Sequence, residues 1–158
     1  MKNRSLVVAV FSLFIMLLSC KEQADLASEK SEVTKTIKEF YRSFEQEDMD
    51  LMSNLMAHDE SMLSFGTSLE DHHNSWAEWK NNHLAQFEAI DKAKINSKTL
   101  EVYMSQSGTV AWFANVTDWS LVVQNEAIDI PSVRITGVLE KRNEDWKIVQ
   151  IHASVPQS

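Results

Sequence analysis

The chain has 158 residues, and its 23 acidic and 15 basic side chains give it a formal net charge of −8. This balance argues against binding of nucleic acids or anionic lipid surfaces, because both need basic patches. The chain contains a single cysteine and cannot form an internal disulfide, so its stability must come from a hydrophobic core.

The first 19 residues have the three parts of a secretory signal peptide. Lys2 and Arg4 make the start basic, and residues 6–18 are apolar except for one serine. This apolar run is shorter than the roughly 20 residues that cross a bilayer. It ends in Leu-Leu-Ser-Cys at residues 17–20, which resembles the lipobox of bacterial lipoproteins. The resemblance implies cleavage before Cys20 and attachment of acyl chains such as palmitate to this residue.

An ordinary signal peptide or a short uncleaved anchor is the alternative. Cys20 is the only cysteine of the chain and lies at the predicted junction, which favours the lipoprotein. We therefore expect a lipid anchor in the cell envelope, outside the cytoplasm, and in the outer membrane if the organism is Gram-negative. Residues 20–29 are then the lipidated cysteine and a polar tether, and residues 30–158 form one domain.

The domain begins with helical patterns. Apolar residues recur at helical spacing from Val33 to Phe44, which predicts a helix with Ser28 or Ser31 as its cap. The next predicted elements follow in chain order: a short helix at 51–56, a strand at 62–65, a polar loop at 68–74 and a helix at 76–91.

The rest of the chain is rich in β-branched and aromatic residues and predicts four long strands, at 93–105, 109–123, 128–142 and 146–155. Helices followed by a meander of strands indicate an α+β domain. Because helices cannot cover strands of this length on a flat sheet, we expect a strongly bent antiparallel sheet wrapped around the first and third helices.

The C-terminal hairpin carries the most specific resemblance. It contains Arg134-Ile-Thr136, then a turn, Trp146, and a terminal His152-Ala-Ser154-Val-Pro. This pattern and the order of elements resemble the SnoaL-like group of the nuclear transport factor 2-like (NTF2-like) superfamily over residues 30–156. The resemblance implies a cone in which the bent sheet and the N-terminal helices enclose a pocket. It also implies a homodimer.

This fold carries isomerases, cyclases, dehydratases and association domains, so individual residues must decide the function. The Tyr and Asp that ketosteroid isomerases use correspond to Phe40 and Ser64. Phe40 cannot donate a hydrogen bond, and Ser64 is not a base at neutral pH. Tyr41 is one position away, on a different helical face. We therefore expect a non-catalytic small-ligand-binding or association module without a cofactor. The alternatives are an acid–base enzyme acting on a small hydrophobic molecule and a structural partner in an envelope complex.

The resemblance also implies which residues line the pocket. They are aromatic or amide side chains from elements that form the cone in relatives: Phe65, Trp79, Trp112, Phe113, Asn115 and Trp119. A plain hydrophobic core is the alternative interpretation. His152 and Asp59 are weak catalytic candidates.

Strand alternation favours an outer-face or interface position for a polar set on the last two strands: Arg134, Thr136, His152 and Ser154. Farther upstream, His72 and His73 follow two acidic residues and suggest a zinc site. Adjacent residues rarely point at one ion, so a solvated loop is favoured and no metal is expected.

Overall fold

The computed structural model describes residues 25–156, so the predicted signal peptide, Cys20 and the first part of the predicted tether lie outside the described residues. The helices are α1 (Leu26–Glu45), α2 (Met49–Leu55) and α3 (Trp76–Ala89). The strands are β1 (Leu63–Phe65), β2 (His72–His73), β3 (Ile90–Met104), β4 (Val110–Val123), β5 (Glu126–Arg142) and β6 (Asp145–Ser154). Within this part of the chain, no helix has both the length and the hydropathy needed to cross a bilayer.

Helix α1 starts earlier than its apolar stripe predicts. The Asp25 carboxylate caps it by accepting hydrogen bonds from the backbone N–H groups of Ala27 and Ser28. The prediction of Ser28 or Ser31 as the cap is therefore wrong. The first turn is largely exposed and does not continue the buried apolar stripe, whereas a carboxylate satisfies the free N–H groups there and suits the helix dipole.

The sheet has the order β2-β1-β6-β5-β4-β3. All neighbouring strands are antiparallel except β1 and β6, which run parallel. Strand β2 lies within the segment predicted to be a polar loop, and its His72 and His73 pair with Phe65 and Ser64 of β1. Two residues are too few for a strand to show a periodic pattern, so the sequence could not reveal it.

Strands β3, β4 and β5 all change register at neighbouring positions, which bends the sheet. The breaks lie between Ser97 and Thr99 on β3 and between Thr117 and Trp119 on β4. Asp118 stabilises the bend by accepting a hydrogen bond from the Ser132 N–H at 2.9 Å and pairing with Lys98 at 2.7 Å. Such bulges bend a strand and increase its twist. Helix α1 packs against β3 and β6, and α3 against β2 and β3, which confirms the predicted wrapping of the sheet around these helices.

The core lies between α1 and the inner face of the sheet. Val33, Ile37 and Met52 are fully buried, and burial of each such side chain contributes about 1.5–3 kcal/mol. Gly137 is needed on β5, because a Cβ there would lie 2.5 Å from the Phe113 ring. The start of α1 is held by Glu29, which accepts hydrogen bonds from the side chains of Lys141 and Trp146.

Candidate functional site

A cavity of about 100 Å³ lies between the inner face of the sheet and helices α1 and α3. The bend in the sheet leaves this space beside the C-terminal half of α1. Most of its wall is apolar and aromatic, including Phe40, Phe44, Trp79, Trp119, Ile135 and Ile151. The rings contact one another, with centroid distances of 5.4 Å between Phe44 and Trp119 and 6.2 Å between Phe40 and Trp79. Pockets for small molecules typically combine such walls with a few polar groups.

Tyr41 brings a hydroxyl group into this wall. Its oxygen accepts a hydrogen bond from the Asn115 side-chain amide at 3.1 Å, and Ser97 holds Asn115 from the other side. Burial raises the pKa of Tyr41 to about 12, so the hydroxyl keeps its proton at neutral pH. Because Asn115 donates to the oxygen, the Tyr41 proton remains available for donation to another acceptor.

The position of Tyr41 corrects the expectation that it faces away from Phe40. Both residues are buried and both line the cavity. Consecutive helical residues point about 100° apart, and a helix enclosed by a bent sheet buries a face at least that wide. The single narrow apolar stripe of α1 therefore does not include Tyr41.

His83 of α3 supplies a neutral imidazole. Its ring stacks on Trp79 with a centroid distance of 3.6 Å, and its Nδ1 lies 3.0 Å from the Trp79 carbonyl oxygen. A carbonyl only accepts, so Nδ1 carries the hydrogen and Nε2 is an acceptor on a ring that lines the cavity. Burial, reinforced by the nearby His73, lowers the pKa of His83 to about 4, although the Trp79 carbonyl and Asp71 oppose the shift.

His73 of β2 and the nearby Asp71 also line the cavity. The Nε2 of His73 is buried and has no hydrogen-bond partner within residues 25–156. An unpaired buried polar atom costs about 1–3 kcal/mol, which a ligand or a water molecule can offset. Gly66 is required beside Asp71, because a Cβ at Gly66 would lie 2.4 Å from the Asp71 Cβ.

The structure separates the predicted pocket residues into three groups. Trp79 and Trp119 line the cavity, and Phe65 borders it, although the Phe65 ring is 42% exposed and packs against His72 and His152 on the outer side of the sheet. Asn115 is buried behind the wall and positions Tyr41, and Phe113 is buried against Gly137.

Trp112 does not belong to the pocket, and its prediction there is wrong. Its ring lies outside the sheet, 46% exposed and stacked on Tyr103. Neighbours in a strand point to opposite faces, so Trp112 cannot share the inner face with Phe113.

The outer face of the sheet carries the polar residues of the last two strands. Thr136 lies opposite His152, and Arg134 lies opposite Ser154. All four except the half-buried Ser154 are exposed, whereas Ile135, Ile151 and Ala153 of the same strands line the cavity.

Neither weak catalytic candidate lines the cavity. His152 is on the outer face, where its ring lies edge-on to Phe65. Asp59 is a surface residue bonded to Ser61 and Arg142, and the Ser61 hydrogen bonds lower its pKa.

The two adjacent histidines diverge. The ring of His72 stacks on Phe65 at 4.6 Å, whereas His73 lines the cavity. Among the residues that the structure describes, no three or more histidine, cysteine or acidic side chains are grouped so as to hold a metal ion.

Sequence reasoning missed the polar side of the site: Tyr41, Asp71, His73 and His83. One signal for His83 was present, since it occupies the apolar stripe of α3 between Trp79 and Phe87. The other three lie at positions where hydrophobic periodicity does not indicate burial.

Residues 33–158 match the family model of the SnoaL-like domain. No functionally curated protein matches the chain. Among solved structures, a nuclear transport factor 2 (NTF2-like) superfamily protein from Salmonella enterica serovar Typhimurium is 18% identical with a TM-score of 0.75, over 84% of this chain and 94% of that one.

Two further solved structures have related folds. A candidate scytalone dehydratase from Novosphingobium aromaticivorans is 11% identical with a TM-score of 0.73, over 83% of this chain and 86% of that one. A candidate ketosteroid isomerase from Shewanella frigidimarina is 17% identical with a TM-score of 0.64, over 80% of this chain and 97% of that one. At these identities the likeness establishes the fold alone.

The buried His83 predicts a loss of stability in mild acid. Between pH 6.5 and about 4, the unfolded chain binds a proton at this position that the folded chain does not, so the free energy of unfolding falls as the pH falls. The contribution is about 3 kcal/mol across this window. Urea unfolding at a series of pH values checks it: the His83→Gln variant has a shallower slope than the wild type.

The matched control is His72→Gln, which replaces an exposed histidine on the outer face and keeps the wild-type slope. Parallel stability profiles for wild type and His83→Gln would contradict the buried, neutral state of His83.

Proposed function

Because the chain belongs to the SnoaL-like family and has the NTF2-like fold, we propose that its domain binds a small, uncharged and mainly apolar molecule in the cavity. The observation that carries this proposal is the combination of aromatic walls with hydrogen-bonding groups that are neutral. Tyr41 keeps its proton and His83 does not gain one at neutral pH. Such groups orient a ligand without requiring it to carry a charge.

The charges around the cavity support a neutral ligand. Among the described residues, no lysine or arginine lines it, and Asp71 is its one acidic lining residue. A carboxylate or phosphate ligand would find no counter-charge in a site of low dielectric, where an unpaired charge is costly. A neutral ligand instead gains from the burial of apolar surface against Trp79 and Phe44.

Filling the cavity should weaken binding. Ala153 lines the cavity and its neighbour Ser154 points to the other face of the sheet. We expect Ala153→Leu to weaken binding of acetophenone at least about tenfold, because the added side chain takes up the ligand's space. Isothermal titration calorimetry measures the affinities, and Ser154→Leu is the matched control that keeps the wild-type value. Equal affinities in both variants would place the ligand elsewhere.

An acid–base enzyme is the second candidate, and the unpaired Nε2 of His73 favours it. The side chains of His73, His83 and Tyr41 all belong to residues that line one largely apolar cavity. Such groups can move a proton to or from a bound molecule. The likeness to structures described as a candidate dehydratase and a candidate isomerase agrees with this chemistry. Ketosteroid-isomerase chemistry itself lacks its residues, since Phe40 and Ser64 line the cavity in place of Tyr and Asp.

Proton exchange tests the enzymatic candidate. A proton-transfer site is expected to speed exchange of the C–H groups beside the carbonyl of cyclohexanone in deuterated water, as followed by NMR. Replacing His73 or His83 by Asn should remove about 100-fold or more of this acceleration, because each removes a candidate base. The His72→Asn variant is the control. Exchange no faster than in buffer would leave the binding module as the sole proposal.

The cell-envelope anchor remains part of the proposal. The lipobox-like sequence before Cys20 supports it, as does the acidic, disulfide-free domain that follows. Cells grown with radiolabelled palmitate should incorporate label into the wild type and lose it in Cys20→Ala, because no other cysteine can form the thioether. The variant should also leave the membrane fraction. Label that persists in Cys20→Ala would refute lipidation at this site.

We also propose a homodimer formed through the outer face of the sheet. This face carries the exposed Tyr103–Trp112 stack beside Thr136 and His152. Trp112→Lys should convert the dimer to a monomer, because a charge would have to be buried at the interface. Light scattering after size-exclusion chromatography measures the mass, with Asn81→Lys on the exposed side of α3 as the control. A monomeric wild type would overturn the proposal.

A further inference from the structure

The size and hydrogen-bonding groups of the cavity define a narrower class of ligand. Resting on the proposed function, we infer that the cavity takes a neutral molecule with a single ring that carries both a carbonyl oxygen and a hydroxyl group. The carbonyl accepts a hydrogen bond from Tyr41, and the hydroxyl donates one to His83. A hydroxylated cyclic or aromatic ketone or aldehyde meets these requirements.

The volume sets the number of rings. The cavity of about 100 Å³ is somewhat smaller than an engineered protein cavity of roughly 150 Å³ that binds benzene. Its side walls are rigid, because Trp79 is packed between Phe40 and His83, and Phe44 between Phe87 and Trp119. No more than one ring therefore fits between them, and a substituted ring also occupies the side of the cavity that is open to solvent. A fused second ring would have to displace buried aromatic side chains, which is costly in a close-packed interior.

Tyr41 determines where the ligand needs a hydrogen-bond acceptor. The Asn115 amide donates to the Tyr41 oxygen, and Asn115 is itself held by a pair of hydrogen bonds with Ser97. This arrangement directs the Tyr41 proton away from the Asn115 amide, on a side chain that lines the cavity. A carbonyl oxygen is an acceptor with no hydrogen of its own, so it complements this donor without competing for the Asn115 bond.

His83 determines where the ligand needs a hydrogen-bond donor. The Trp79 carbonyl holds the hydrogen of His83 on Nδ1, which leaves Nε2 as an acceptor. His73 also lines the cavity, and its Nε2 is buried without a hydrogen-bond partner among residues 25–156. A ligand hydroxyl can donate to the Nε2 of His83. A ligand without a hydroxyl leaves this nitrogen unpaired in an apolar site, at a cost in affinity.

Asp71 disfavours a ligand carboxylate and so favours a neutral carbonyl group. It lines the same cavity, with one carboxylate oxygen accepting from the Ser68 backbone N–H. A ligand carboxylate would be repelled by Asp71 and would meet no cation. The oxygen that Tyr41 binds is therefore a ketone or aldehyde oxygen and not that of an acid.

A set of matched probes tests this inference on the full-length chain in detergent. The probes share one ring and differ in one group: ethylbenzene has neither oxygen, acetophenone has the carbonyl, para-ethylphenol has the hydroxyl, and para- and meta-hydroxyacetophenone have both. Para-hydroxybenzoate and a hydroxynaphthyl methyl ketone test charge and ring number. Calorimetry measures each affinity, and the Ala153→Leu variant in the same detergent supplies the background from micelles.

We expect the better hydroxyacetophenone isomer to bind at least about tenfold more tightly than ethylbenzene, para-hydroxybenzoate or the naphthyl ketone. Tyr41→Phe should remove the advantage of acetophenone over ethylbenzene, about fivefold or more, and His83→Leu that of para-ethylphenol. Tyr103→Phe and His72→Leu, at exposed positions, are the matched controls and should keep both advantages.

The outcomes separate the two proposals. Ethylbenzene binding as tightly as the hydroxyacetophenones, or the naphthyl ketone binding more tightly, would overturn the inferred class while leaving a ligand-binding pocket. Tyr41→Phe and His83→Leu with wild-type preferences would overturn the assigned hydrogen bonds. If no probe binds the wild type above the Ala153→Leu background, the proposed function fails together with the inference.

Discussion

The bend in the sheet is the constraint on which the rest of the structure depends. Strands of 14 to 17 residues in β3, β4 and β5 would extend far beyond α1 if they were flat. The aligned register breaks turn them, and Asp118 fixes the turn by bonding to Ser132 and Lys98. The bent sheet then encloses α1 and α3 instead of covering one side of them. The side chains of the helices and the sheet do not fill the whole enclosed space, and a cavity remains beside the C-terminal half of α1.

Burial gives the cavity its chemical character. The same desolvation that stabilises the aromatic walls keeps Tyr41 protonated and His83 neutral, since each charged form would lose its hydration. Hydrogen bonds from behind the wall then orient these groups. Asn115 directs the Tyr41 hydroxyl, and the Trp79 carbonyl selects the His83 tautomer. In the proposed function, these neutral groups bind dipoles of the ligand.

The sequence predicted the fold well because long periodic segments record which face is buried. The apolar stripe of α1, the alternation in β6 and the C-terminal hairpin were enough to indicate a bent sheet around helices. The site was less predictable, for three physical reasons. Tyr41 is buried because the sheet encloses more of α1 than one stripe, and His73 lies on a strand too short to have a period. Trp112 is large and apolar yet exposed, while its small neighbour Ala111 is buried, so hydrophobicity indicated the wrong face.

We propose that the protein binds its ligand in this cavity and not on the outer face of the sheet. A crystal structure of the full chain soaked with para-hydroxyacetophenone tests it most directly. The account predicts electron density for one ring against Trp79, with the ketone oxygen at hydrogen-bond distance from the Tyr41 hydroxyl. Density for the probe on the outer face, beside Trp112 and His152, with the cavity holding only water, would contradict it.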